Sequence, residues 1–341
     1  MIVTRRVSRH ESQIKIARAI AKTEKPFSPK QIRTPSNDSE KLWKLFDVNG
    51  DGVVDIAVGA DGDDDGGSAA GSMYILFLTT DGLVDSAQKI GALYGELSSF
   101  YMLAASALFG FGCGSLGDLD SDGVPDLAVT AFGDDDVTSA SGCVYILYLS
   151  SEGTVKMAQK ISNFYGNMPY DLAASDYFGY GRSIGAADLD ADGITDLAVG
   201  APLDDDGGSD AGAVYILFLT TDGLVKSGQK ISNHYGSMPY TIDSSDYFGW
   251  STAFVGDVDG DGLTDLAVGA HYDDDGGTDS GGGMAEPGRI LRYDAPSSLA
   301  NASYHRKQQF AAHISTSPSF SGSVVQFQLQ RRSPSWVRTG H

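Results

Sequence analysis

Between residues 42 and 285 the chain alternates short apolar runs with polar punctuation. The runs are four to seven residues long, rich in Val, Ile, Leu, Tyr and Phe, and bounded by Gly, Asp, Ser and Asn. A helix needs about ten or more residues with a period near 3.6, so runs this short predict strands. In the best-preserved stretch the first strand follows Phe178-Gly179. The second covers Leu197 to Ala201, the third Ala213 to Leu219, and the fourth lies near Lys226 to Ile231. A linker, residues 232–247, then leads to Phe248-Gly249.

The pattern repeats. Asp47-Val-Asn49-Gly-Asp51-Gly52-Val53-Val-Asp55 returns as Asp118-Leu-Asp120-Ser-Asp122-Gly123-Val124-Pro-Asp126. It returns again as Asp188-Leu-Asp190-Ala-Asp192-Gly193-Ile194-Thr-Asp196, and as Asp257-Val-Asp259-Gly-Asp261-Gly262-Leu263-Thr-Asp265. The leading aspartates are 71, 70 and 69 residues apart, and Tyr74 to Val84 repeats letter for letter as Tyr215 to Val225. Four antiparallel strands in a unit of about 70 residues, repeated, predict an all-β fold built of β-propeller blades. Four blades are visible: residues 42–108, 109–177, 178–247 and 248–285. The first has only Leu42-Trp43-Lys44-Leu45-Phe46 ahead of its loop, with no Phe-Gly, so a normal opening strand is not expected there. With a degenerate fourth blade as well, the expected ring is open.

The nine-residue loops have the chemistry of a metal site. Positions 1, 3, 5 and 9 carry Asp or Asn, position 6 is Gly, and position 7 (Val53, Val124, Ile194, Leu263) can offer only its backbone carbonyl. Calcium takes six to eight oxygens from such alternating positions, with Gly at the sharp turn; magnesium keeps more water and zinc prefers N or S donors. An EF-hand would need Glu at position 12 and flanking helices. Position 12 here is Val58, Val129, Val199 or Val268, inside a predicted strand. About four Ca²⁺ are expected, held by Asp47, Asn49, Asp51, Val53 and Asp55; by Asp118, Asp120, Asp122, Val124 and Asp126; by Asp188, Asp190, Asp192, Ile194 and Asp196; and by Asp257, Asp259, Asp261, Leu263 and Asp265.

Charge supports a cation. The 341 residues hold 24 Lys+Arg against 45 Asp+Glu, a net charge of −21. Residues 1–44 are net +7 and residues 286–341 net +5, which leaves −33 on residues 45–285. So acidic a body repels nucleic acid and anionic membranes, and its self-repulsion favours bound metal. Residues 1–41 read as a basic, disordered segment, with an amphipathic stretch near Ile14 to Ile20. Residues 286–341 read as a basic tail in which 321–330 could supply a closing strand. No apolar run is long enough to span a membrane, and no export signal is visible in the N-terminal segment.

The remaining features carry less chemistry. The triplets Asp63 to Asp65, Asp134 to Asp136, Asp204 to Asp206 and Asp273 to Asp275 recur in phase; solvated loops are the plain reading, with cation sites or a basic partner's docking surface as alternatives. Cys113 and Cys143, on the first and third strands of one blade, are expected to stay free. No nucleophile, base and acid recur together, so no catalytic residue is assigned. Asn301-Ala-Ser303 is a glycosylation acceptor if the chain is exported.

Phe-Gly, then the Asp loop, then Leu-Ala-Val-Gly-Ala, complete in the third repeat as Phe178-Gly179, Asp188 to Asp196 and Leu197 to Pro202, resembles the FG-GAP repeat of integrin α-chains. The resemblance covers about residues 42–285. It implies a propeller with Ca²⁺ in the hairpin between the first two strands of each blade. It further implies an extracellular or cell-surface setting and a protein ligand on the face away from the loops. Integrin propellers have seven blades, so receptor activity proper is not implied. The expected function is a non-catalytic, calcium-binding module for adhesion or for binding a protein or glycan, without membrane insertion. The alternatives are an accessory propeller of a secreted phospholipase or polysaccharide lyase, and a propeller fragment without function.

Overall fold

A computed structural model of the chain describes residues 41–44, 47–136, 139–181, 184–238, 241–258, 263–270, 272–273 and 289–294, the first and last of these by their backbone. They form antiparallel sheets in which each strand pairs with its neighbour in sequence. The first sheet is β1 (Lys41–Lys44), β2 (Ile56–Ala60), β3 (Ser72–Leu78) and β4 (Val84–Gly91). The second is β5 (Cys113–Gly117), β6 (Asp126–Ala131), β7 (Cys143–Leu149) and β8 (Val155–Ile161). The third is β9 (Gly185–Ala187), β10 (Asp196–Ala201), β11 (Ala213–Leu219) and β12 (Val225–Ile231), and the fourth is β13 (Phe248–Gly256), β14 (Asp265–Ala270) and β15 (Arg289–Asp294). Each sheet is one propeller blade.

The blades stack through three hydrophobic clusters, each shared by two neighbours. The alternation along a strand sends Ala57, Met73 and Ile75 of the first blade against Val129, Tyr145 and Leu147 of the second. The opposite face of the second blade, with Ala128, Val144 and Ile146, meets Val199, Tyr215 and Leu217 of the third. Ala198, Val214 and Ile216 then meet Leu266 and Val268 of the fourth. The innermost strands touch in series, β1 to β5, β5 to β9 and β9 to β13, and no comparable contact joins β13 to β1 among the described residues. The ring is open. Its first blade shows this directly: Ile56, Val58, Tyr74, Leu76 and Leu78 are half-buried, whereas their counterparts in the second blade are buried.

Two expectations need correction. The first blade does have an opening strand, since β1 pairs with β2 from Lys41 opposite Gly59 to Lys44 opposite Ile56. Pairing needs only backbone groups; Phe-Gly does something else. Phe109, Phe178 and Phe248 bridge in parallel to Gly71, Gly142 and Gly212 of the preceding blade. Their N–H groups donate to the carbonyls of Ala70, Ser141 and Ala211 at 3.1, 3.0 and 2.9 Å. The bridging glycines have φ of 88°, 83° and 93°, and a Cβ there would lie 2.1–2.2 Å from the phenylalanine carbonyl oxygen. Phe-Gly is thus a staple to the blade before, which a first blade does not require. The second correction concerns β15, which falls inside the stretch that composition assigned to a basic tail. It pairs with β14 from Arg289 opposite Ala270 to Asp294 opposite Asp265. Charge hid it, because a strand edge recruits backbone whatever the side chains. Residues 14–20 and 321–330, and Asn301, lie outside the described residues.

Candidate metal centre

Each Asp loop joins the first strand of a blade to the second. Its turn is set by left-handed backbone at position 4 (Gly50, Ser121, Ala191; φ 76°, 62°, 59°) and at position 6 (Gly52, Gly123, Gly193; φ 85°, 92°, 87°). A Cβ at position 6 would meet nothing within 4 Å, so glycine is needed there for conformation and not for space. Position 1 fixes the turn from inside. Asp118 Oδ1 and Oδ2 accept the N–H groups of Asp122 and Gly123, both at 2.9 Å, and Asp188 does the same for Asp192 and Gly193 at 3.2 and 2.9 Å. In the first loop Asp47 accepts from Gly50, Asp51 and Gly52 at 2.7, 3.0 and 2.6 Å.

Position 9 anchors the loop to the sheet. Asp55, Asp126, Asp196 and Asp265 are fully buried. Asp126 Oδ2 accepts Leu119 N–H at 2.9 Å and its Oδ1 accepts Leu149 N–H at 3.0 Å. Asp196 repeats this with Leu189 and Leu219, Asp55 with Val48 and Leu78, and Asp265 accepts Val258 N–H at 2.8 Å. Burial pushes Asp126 and Asp196 up to about 6, against the pull of these bonds. Asp126→Ala would strand two buried N–H groups, an expected loss of roughly 2–4 kcal/mol even with calcium chelated. Asp118→Ala, whose partners can turn to water, should cost little under chelator. Urea unfolding of both variants in chelator measures the contrast.

The structure brings together positions 1, 3 and 9 in the second and third loops: one carboxylate oxygen from each of Asp118, Asp120 and Asp126, and likewise Asp188, Asp190 and Asp196, lie within 4.8 Å of one another. Position 5 stands apart. Asp122 and Asp192 accept their own Val124 and Ile194 N–H groups at 2.9 Å and turn their second oxygens to Lys156 and Lys226. In the first loop Asn49 donates its amide to Asp51 at 3.0 Å, and Asp51 accepts Val53 N–H at 2.8 Å. Of the fourth loop, Asp257 and Leu263 are described with Asp265, whereas Asp259 and Asp261 are not. The donors are all hard oxygens, on a turn already formed. That set fits Ca²⁺ and offers nothing to a metal that wants N or S.

The Asp triplets of the first three blades are not plain solvated loops. Their first members, Asp134 and Asp204, are buried. Lys160 Nζ lies 2.8 Å from Asp134 and Lys230 Nζ 2.8 Å from Asp204; Lys89 lies 2.9 Å from Asp63. Tyr145 and Tyr215 hydroxyls donate to Asp134 and Asp204 at 3.2 and 2.8 Å. The second members cap the loop, as where Asp64 and Asp205 accept Ala69 and Asp210 N–H at 2.8 Å. The third members share the lysine, at 2.5 Å for Asp65 and Asp136. Sequence reasoning missed the lysine, which lies some two dozen residues downstream. Its signal was the recurring Gln-Lys-Ile of Lys89, Lys160 and Lys230.

Asp176, in the linker before the third blade, is a buried carboxylate of another kind. It accepts Ala173 N–H at 2.7 Å, and burial, aided by the negative charge of Asp204, pushes it up to about 6. The folded-state value lies above the unfolded one near 3.8, so this group is best tolerated below about 4. It removes stability as pH rises through about 6. Asp176→Asn should therefore gain stability relative to wild type, by on the order of 2–3 kcal/mol at neutral pH and nothing near pH 4. Paired denaturation curves across that range test the sign.

Aromatic rings collect at the other end of the innermost strands. Phe111, Tyr180 and Trp250 each follow a Phe-Gly, the end of the first strand away from the Asp loop. Phe111 to Tyr180 and Tyr180 to Trp250 lie 5.0 and 5.2 Å apart, ring centre to ring centre. Phe132 lies 4.4 Å from Tyr180, and Tyr247 joins Trp250 at 6.5 Å and Tyr272 at 5.2 Å. All are half-buried except Tyr272, which is exposed. The sequence signal, an aromatic after each Phe-Gly, went unread. Cys113 and Cys143 are buried and form no disulfide. Among the described residues, no helix is long and apolar enough to cross a membrane.

Comparison with known proteins agrees with this geometry. The FG-GAP repeat family matches residues 180–217 and 248–283, the third and fourth blades. Integrin alpha-PS5 of Drosophila melanogaster is 37% identical over 133 residues, 39% of this chain and 11% of that protein. Integrin alpha-5 of Xenopus laevis is 32% identical over 157 residues, 43% and 13% of the two chains. Phosphatidylinositol-glycan-specific phospholipase D of Bos taurus is 28% identical over 206 residues, 58% of this chain and 23% of that protein. The chain thus spans only about an eighth of the integrin relatives' length. Two stretches of the chain match the FG-GAP repeat, and part of its length is similar in sequence to integrin α-chains. The first two blades, which the family match does not include, share the topology of the third.

Proposed function

We propose that the chain is a calcium-binding propeller module that binds a protein partner in an extracellular or cell-surface setting, without chemistry of its own. The observation that carries this is the convergence of Asp118, Asp120 and Asp126, and of Asp188, Asp190 and Asp196, on a preformed turn. Calcium in about four such loops would be structural: it ties the loop to the sheet through the position-9 aspartate and offsets the charge of the acidic body. The position-5 aspartates and the carbonyls of Val53, Val124, Ile194 and Leu263 complete the proposed sets, with Asp257, Asp259, Asp261 and Asp265 in the fourth loop.

A partner would meet the aromatic end, away from the calcium loops. Half-buried rings with little charge among them are the composition of an interface centre. The test is solid-phase binding of the full chain to a panel of extracellular-matrix proteins and glycans, with calcium or chelator. Saturable, calcium-dependent binding that Trp250→Ala or Tyr180→Ala abolishes supports the reading. Absence of binding, or binding indifferent to both variants, overturns it. A second reading, an accessory propeller of a secreted enzyme, is favoured by the phospholipase match over more than half of this chain.

A further inference from the structure

The fourth strand of each of the first three blades starts with the same irregularity. In the second blade Leu149 pairs with Val155 and Tyr148 with Met157, so Lys156 is skipped by the ladder. In the third blade Leu219 pairs with Val225 and Phe218 with Ser227, which skips Lys226. In the first blade Leu78 pairs with Val84 and Phe77 with Ser86, which skips Asp85. A bulged residue loses its place in the alternation, and its side chain is re-aimed.

In the second and third blades it is aimed at the Asp loop. Lys156 Nζ lies 2.8 Å from Asp120 Oδ2 and also contacts Asp122 Oδ2. Lys226 Nζ lies 2.9 Å from Asp190 Oδ2 and contacts Asp192 Oδ2. Asp120 and Asp190 are the position-3 members of the two carboxylate clusters. The ammonium therefore pairs with a carboxylate that a divalent ion would use, and it adds a positive charge beside that ion's place. Both lysines are partly open to solvent, at 29% and 28%, so the side chain can swing away without a buried group being left unpaired. In the first blade the equivalent residue is an exposed carboxylate, and the position-5 oxygen that receives the ammonium elsewhere receives the Asn49 amide.

We infer that the bulged residue at the start of each fourth strand tunes the calcium affinity of its own blade's loop: Lys156 and Lys226 compete with the ion at the second and third loops, and Asp85 favours it at the first. The inference rests on the calcium reading above. It gives the lysines two opposed effects, holding the loop together when calcium is absent and opposing calcium when it arrives.

The test is calorimetric titration of the chelator-stripped full chain with calcium chloride, alongside metal-free melting curves and circular dichroism. Lys156→Gln and Lys226→Gln should each tighten one site by roughly three- to thirty-fold and lower the metal-free melting temperature. Lys156→Arg should leave the affinity near that of wild type, and Asp85→Lys should weaken one site by a similar factor. Unchanged or weaker binding by folded Lys→Gln variants, with calcium still bound by wild type, overturns the inference and leaves the calcium reading intact. Heat-silent titration of wild type and all variants overturns both.

Discussion

Removing calcium from the full chain should lower its unfolding free energy by about 6–11 kcal/mol relative to the protein in about 10 mM calcium. The figure follows from ligand linkage. At affinities of about 10⁻⁴–10⁻³ M, expected of extracellular calcium modules, each loop adds roughly 1.4–2.7 kcal/mol, and four loops add in proportion. The physical source is charge. The four loops contribute 15 carboxylates to a body of net charge −33, and four Ca²⁺ return eight positive charges. Differential scanning calorimetry with and without chelator checks the expectation. An unchanged melting temperature would mean that the loops hold their turns unaided, through the hydrogen bonds of positions 1 and 9, and the metal assignment would fall.

The second large effect is expected at the buried ion pair of the second blade. Lys160→Ala leaves Asp134 charged, buried and facing only the Tyr145 hydroxyl, at a cost of about 3–5 kcal/mol. The double substitution Lys160→Met with Asp134→Leu should recover most of that loss, because it removes the stranded charge along with the pair. Chemical denaturation of the two variants separates the alternatives. If the single variant loses under about 1 kcal/mol, the pair behaves as a surface contact and its burial contributes nothing. The third blade offers an independent repeat of the experiment at Lys230 and Asp204.

Where the repeat could be read, it was read from local chemistry. Strand β11 runs over the expected residues, Ala213 to Leu219, because a short apolar run bounded by Gly-Ala and Thr-Thr-Asp-Gly leaves its limits little freedom. The convergence of positions 1, 3 and 9 in the second and third Asp loops was also legible, since spacing within nine residues decides which side chains can meet; the turn of position 5 to a lysine was not. What could not be read involves pairing across distance. Phe-Gly looked like the start of its own blade, yet its backbone is committed to the blade before. The triplets looked solvated because their lysines sit on the strand after next, and only the fold brings the two together. The position-9 aspartate was expected as a ligand, and nothing in its spacing shows that it also spans from loop to third strand. β15 was hidden by arginines, which say nothing about a backbone partner.

Among the described residues, the three clusters that join successive blades make a linear array, in which the second and third blades are covered on both faces and the first and fourth on one. Stability in such an array is the sum of unit and interface contributions, so the ends open at lower free energy than the middle. Amide hydrogen exchange should be slowest along β6, β7, β10 and β11 and should quicken towards β1 and β15. Chain collapse should nucleate where the second and third blades meet, with the outer blades adding on later from either side.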